Sequence, residues 1–129
     1  MNAHGLIATS RRLVGAGQGL LAMDERNGTC DKRFAALGTS QTERKRRAHR
    51  ELIGTTPGLG AYISGAILYD ETNRQRTKDG TAIVKVIGDA GIIPGIKVDT
   101  GAKDMAARPG EKITEGLDGL RDRLAEYAH

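Results

Sequence analysis

Gly91–Gly101 reads GIIPGIKVDTG. Ile92, Ile93, Ile96 and Val98 form a short apolar run of the kind a buried strand shows. Lys97 nevertheless stands inside that run, and Asp99 follows it. A lysine in an apolar strand is costly unless it is paired or has a role. Two other runs end the same way. Leu20–Met23 leads into Asp24 and Glu25, and YISGAILY leads into Asp70 and Glu71. Short continuous runs of this type predict strands buried on both faces. In a parallel sheet the carboxyl ends of the strands lie at one end of the structure, where ligand sites of barrels and open α/β sheets sit. Asp24, Asp70, Glu71, Lys97 and Asp99 are therefore expected at one mouth. Charges also end strands simply because loops meet water, but that does not account for a lysine within the run.

Between the runs the period changes to that of helices. Leu6, Ile7, Leu13 and Val14 predict a first amphipathic helix, broken by Gly15, Gly17 and Gly19. RNGTCDK (Arg26–Lys32) reads as a polar loop. Ser40, three residues before Glu43, has the spacing of a capping box and predicts a helix from near Ser40 to about Thr55, stopped at Pro57. NRQRTKDG reads as a polar turn, residues 81–90 as a short helix, although TAIVKVI alone is also a strand pattern, and Leu117, Leu120, Leu124 and Ala128 as one face of a last helix. A leading helix followed by three strand-then-helix units argues for a parallel sheet covered by helices.

Composition sets outer limits. At 129 residues the chain fits one domain, and 38% apolar with 28% charged residues is a globular balance. Three Tyr, one Phe and no Trp leave the core to Leu, Ile, Val and Ala. Cys30 is the one cysteine, so no internal disulfide forms, which suits a reducing cytoplasm. No apolar stretch approaches the roughly 18 residues of a membrane span, and MNAHGLIATSRR has no secretory pattern. His4, His49, His129 and Cys30 show no metal-ligand spacing, and no cofactor is implied. The net charge of +4 favours anionic partners. TERKRRAHRE (Thr42–Glu51) taken alone reads as a nucleic-acid or partner-binding helix. It lacks the interleaved aromatics that stack bases, and a solvated outer helix accounts for it as well.

Four blocks in order carry a resemblance: GLLAMDERNGTCDKRF, TTPGLGAYISGAILYDET, GIIPGIKVDTG and GEKITEGLDGL. Together they resemble class I fructose-bisphosphate aldolase, whose versions look like GILAADESTGTIGKRF, TPGLGQYISGVILFEETL, GIIPGIKVDKG and GETTTQGLDGL. The resemblance implies a (β/α)8 TIM barrel, of which this chain is the amino-terminal portion, about three of eight strands plus a leading helix. It implies reversible aldol cleavage of fructose 1,6-bisphosphate, without metal, through an imine between a lysine and the substrate ketone. It also implies a glycolytic, cytoplasmic enzyme that assembles as a homotetramer.

Residue by residue, the resemblance makes Asp24 the catalytic carboxylate that orients the charged groups around the imine. It assigns Thr29, Arg33, Arg46 and Lys97 to substrate phosphate, a task for which an arginine fork is well suited. Lys97 is then explained, because alternate side chains of a barrel strand face the lumen. The chain departs from the pattern at Arg26, Asn27 and Asp31, where the family has Ser, Thr and Gly, and Thr100 replaces a lysine. Asp31 is expected to place negative charge near a phosphate position. The resemblance puts the imine lysine, the acid–base glutamate and the second phosphate loop on strands beyond this sequence. The 129 residues alone are therefore expected to be inactive and marginally folded, with open sheet edges. Lys97 is not expected to form the imine, since Asp24 and Asp99 would keep it charged. A non-catalytic stub joining intact subunits is the other reading.

Overall fold

The computed structural model describes residues 3–15 and 17–128; Ala16, within the glycine break, and His129 lie outside that range. The chain forms two compact units, one ending at Ile96 and the other beginning at Lys97.

The first unit runs α1 (Ala3–Leu13), β1 (Gly19–Met23), α2 (Asn27–Ala36), α3 (Glu43–Gly54), a 3-10 turn at Leu59–Ala61, β2 (Ile63–Leu68), α4 (Asp70–Arg74), α5 (Ile83–Asp89) and β3 (Ile93–Ile96). The strands form one parallel sheet in the order β1-β2-β3. Leu21 pairs with Ala66 and Met23 with Leu68, and across the next ladder Ala66 pairs with Pro94 and Leu68 with Ile96. That row faces the helices. Met23, Ala66 and Leu68 join Ile83 and Ile87 of α5 and Ile92 in the core, with Ile53 of α3 packed beside them. Pro94 lacks an amide donor and is tolerated because β3 is an edge strand here.

The alternate row, Leu20–Gly65–Ile93 and Ala22–Ile67–Gly95, faces the other way. Leu20, Gly65, Ile67, Ile93 and Gly95 of that row, with Thr9 and Leu13 of α1, line an apolar cavity of about 370 Å³. A side chain at Gly65 would meet Leu13 Cδ2 at 2.5 Å, so only glycine lets α1 approach the sheet here. The end of α1 is pinned where Ser64 Oγ donates to the Leu13 carbonyl at 2.6 Å and Arg12 donates to the Gly91 carbonyl at 2.9 Å.

Several expectations are corrected. β1 is not buried on both faces: Leu20 is 55% exposed, because on its side of the sheet α1 leaves an open apolar cavity. Leu6 and Ile7 of α1 are likewise exposed. Arg26–Lys32 is not a loop, since α2 begins at Asn27 and buries Cys30 and Phe34, four residues apart on one face. The cap of α3 is Thr42, not Ser40: its side chain accepts from the Lys45 amide at 3.3 Å. Asp70 opens α4 rather than closing a strand. Residues 83–89 are helical as expected.

The second unit contains an antiparallel pair, β4 (Gly101–Asp104) and β5 (Lys112–Glu115), and then α6 (Leu120–Tyr127). The hairpin was not foreseen in the sequence. Lys97 lies one residue past β3, not inside a strand. Leu117 precedes α6 and is exposed, so it is not part of that helix face. Gly116 has φ +148°, and a Cβ there would stand 2.8 Å from both the Asp99 Cα and the Val98 carbonyl oxygen. Arg123 of α6 closes this unit by donating to the carbonyls of Val98 at 3.1 Å, Gly116 at 2.7 Å and Asp118 at 2.6 Å.

Candidate functional site

Asp24 follows the last residue of β1 directly and is half-buried. The next residue, Glu25, is an anchor. Arg50 Nη1 of α3 donates to its carboxylate at 2.5 Å, and Arg50 Nη2 donates to its carbonyl at 3.0 Å and lies 3.4 Å from Cys30 Sγ. Arg33 of α2 donates to the other carboxylate oxygen. Burial alone would raise the Glu25 pKa, but the hydrogen bonds from Arg50, its own amide and Arg33 outweigh it and leave it lowered. Cys30 is buried in the core, and burial pushes its thiol up against the pull of Arg50.

Thr29 is exposed in the first turn of α2, its amide donating to the Arg26 carbonyl at 2.9 Å. Arg33 is 62% exposed at its side chain, with Glu25 as partner. Arg46 of α3 is nearly buried. Its Nε donates to Glu71 Oε1 at 2.8 Å, its Nη2 to Glu71 Oε2 at 2.8 Å, and its Nη1 to Asp31 Oδ1 at 2.9 Å. The hydrogen bond to Glu71 raises its pKa, burial opposes that, and Asp31 adds to the rise. Glu71 also accepts from Asn27 Nδ2 at 2.8 Å and Gln75 Nε2 at 3.3 Å. Gln75 Nε2 reaches Glu43 as well, and its side-chain oxygen Oε1 is left buried without a partner.

Asp24, just past β1, Thr29 and Arg33 on α2 and Arg46 on α3 thus lie in one unit, together with Glu25, Arg50 and Glu71 of α4. Lys97 belongs to the second unit, where its Nζ is 2.9 Å from Asp99 Oδ2; both side chains are partly buried. Sequence reasoning did not single out Glu25 or Arg50. Their signal was the spacing of Arg46 and Arg50, four apart on one helix face toward α2 and α4.

The basic stretch is mostly neutralised within the fold. Arg46 and Arg50 are paired as above, and Arg47 pairs with Glu51, which also accepts from the Lys78 amide at 2.9 Å. Only Arg44 and Lys45 of its five cations are exposed. That is a poor track for a nucleic-acid backbone. Among the described residues no three His, Cys, Asp or Glu side chains gather to hold a metal ion, and no helix is long and apolar enough to cross a membrane.

His49 packs edge-on against Phe34, ring centroids 5.6 Å apart at 84°. Burial, and then Arg50, lowers its pKa below the usual 6.5. A folded-state value below the unfolded one stabilises the fold above the unfolded value and loses that contribution as pH falls through the folded value. The urea midpoint is therefore expected to fall between about pH 7 and pH 5. His49→Gln should flatten that segment; an unchanged slope in the variant would assign it to other groups.

A parallel sheet with helices between its strands, and with carboxylates following β1 and β2, defines the chain as an α/β protein. The comparisons make this specific. The family model for fructose-bisphosphate aldolase class-I matches residues 5–129. A probable fructose-bisphosphate aldolase class 1 of Xanthomonas campestris is 56% identical over 127 residues, which is 98% of this chain and 38% of that protein. The chloroplastic fructose-bisphosphate aldolase 3 of Arabidopsis thaliana is 51% identical over 95% of this chain and 31% of its own length. A solved structure of fructose-bisphosphate aldolase from Plasmodium falciparum, in complex with TRAP and a small-molecule inhibitor, matches with TM-score 0.95 and 44% identity. It aligns with 98% of this chain and 36% of its own. The chain belongs to the class I fructose-bisphosphate aldolase family. It spans well under half the length of these relatives.

Proposed function

We propose that these residues form the first three β/α units of an aldolase TIM barrel and carry part of its site for fructose 1,6-bisphosphate. The carrying observation is Asp24 at the carboxyl end of β1, followed directly by Glu25, which two arginines hold in place. In this reading Asp24 orients the charged groups around an imine formed by a lysine on a later strand, which acts as the electron sink for carbon–carbon cleavage. Thr29, Arg33 and Lys97 supply donors and positive charge to the substrate phosphates. Arg33 and Lys97 are held by a carboxylate partner each, so a phosphate entering would share or replace an ion pair.

A chimera tests this. Residues 1–129 replace the matching 38% of the Xanthomonas campestris relative, and cleavage of fructose 1,6-bisphosphate is followed with a coupled assay. Cleavage is expected, and Asp24→Asn in the chimera should lower kcat about 100-fold. A folded chimera that cleaves nothing would sink the reading.

A further inference from the structure

Two of the positions at which α2 departs from the family pattern meet at one place. Asn27 and Asp31, four apart on α2, share a helix face. Asn27 Nδ2 donates to Glu71 Oε2 at 2.8 Å, and Asp31 takes Arg46 Nη1 at 2.9 and 3.2 Å. Arg46 in turn grips Glu71 with Nε and Nη2, both at 2.8 Å. The threonine and glycine of the family pattern offer neither this amide nor this carboxylate.

We propose that Asn27, Asp31, Arg46 and Glu71 form a clamp that sets the first turns of α2, making Arg46 a positioning residue for Thr29 and not a phosphate ligand. The role given to Thr29 rests on the aldolase reading above; the clamp does not. Three features support it. The Arg46 fork is occupied on both sides, with its side chain 12% exposed. One guanidinium stands between two carboxylates, so the local charge is net negative and disfavours an incoming anion. To reach a phosphate, Arg46 would have to abandon a bidentate pair and leave Glu71, 19% exposed at its side chain, without its counter-charge. Thr29 sits midway between Asn27 and Asp31, about 200° around the helix from each. The clamp therefore fastens one face of the turn and leaves the opposite face exposed.

Amide hydrogen exchange on this chain, read residue by residue by NMR, tests the clamp. Alanine favours helix more than aspartate does, so Asp31→Ala would slow exchange in α2 if the ion pair contributed nothing. With the clamp, Asp31→Ala is expected to speed exchange at residues 30–34 about fivefold. Arg46→Lys should do the same, since an ammonium cannot serve two carboxylates through a planar fork. Asp31→Asn, which keeps an oxygen for Nη1, should stay within about twofold of the parent. In a titration with fructose 1,6-bisphosphate, Asp31→Ala should bind no more tightly than the parent. Slower or unchanged exchange in Asp31→Ala overturns the proposal. So does several-fold tighter binding of the bisphosphate, which would mean that Asp31 holds back a true phosphate ligand. Failure of the aldolase reading looks different: neither parent nor variant answers the bisphosphate, while the exchange ranking stands.

Discussion

Arg50→Met is expected to cost about 3–5 kcal/mol of folding stability, because it removes one partner of a buried ion pair and leaves the other. The Arg50 side chain is 3% exposed and that of Glu25 18%. Methionine fills much of the same space, so the loss reports on the charge and its hydrogen bonds more than on a void. It also frees the Glu25 carbonyl and the Cys30 Sγ that Arg50 now contacts. A loss of this size rivals the whole stability of a small domain. Adding Glu25→Gln to Arg50→Met should recover a large part of it, since the half-buried carboxylate, left with only the exposed Arg33 as counter-charge, is then neutral. The pH dependence gives a further check. In the parent, the lowered Glu25 pKa stabilises the fold above its ordinary 4.5, a contribution lost as pH falls through the folded value. Without Arg50 the effect of burial gains weight and pushes that pKa up. The deficit of Arg50→Met should therefore shrink as pH falls below about 4.5. Equal urea midpoints for parent and variant at neutral pH, or no recovery in the double variant, would remove the anchor role.

Leu68→Ala should cost about 3–4 kcal/mol. Leu68 is fully buried in the central strand β2, packed among Met23, Ile83, Ile87 and Ile92. Strands pair on both sides of it and α5 lies above, so the surroundings have little room to close over a lost isobutyl group. Leu37, 80% exposed just after α2, provides the comparison. Leu37→Ala should stay within about 0.5 kcal/mol of the parent. Urea titrations showing similar losses for the two variants would mean that the core is not centred on β2.

The strands were readable because each is a local object: a few apolar residues ended by a charge. Their parallel order followed from the helices between them. Asp24 and Lys97 stood out for the same local reason, although Lys97 proves to follow β3 rather than lie within it. Helix α2 hid because Asn27–Asp31 is polar and only Cys30 and Phe34 are buried, too little for a visible stripe. The β4–β5 hairpin hid because its side chains are almost all exposed and its pairing runs through the backbone, which leaves no alternation in the letters. The charge network was the least legible. Arg46 and Glu71 lie 25 residues apart, as do Arg50 and Glu25. Which carboxylate each arginine takes depends on how α3 docks over β1 and β2, and spacing alone does not carry that.

The order β1-β2-β3 in space repeats the order in the chain. Each strand adds to the edge left by the one before, and none has to insert between two others. A chain emerging from the ribosome can therefore build this sheet in the sequence of its synthesis. Every new strand meets an edge already made, and α5, whose Ile83 and Ile87 fill the core over β2, emerges just before β3 joins the sheet.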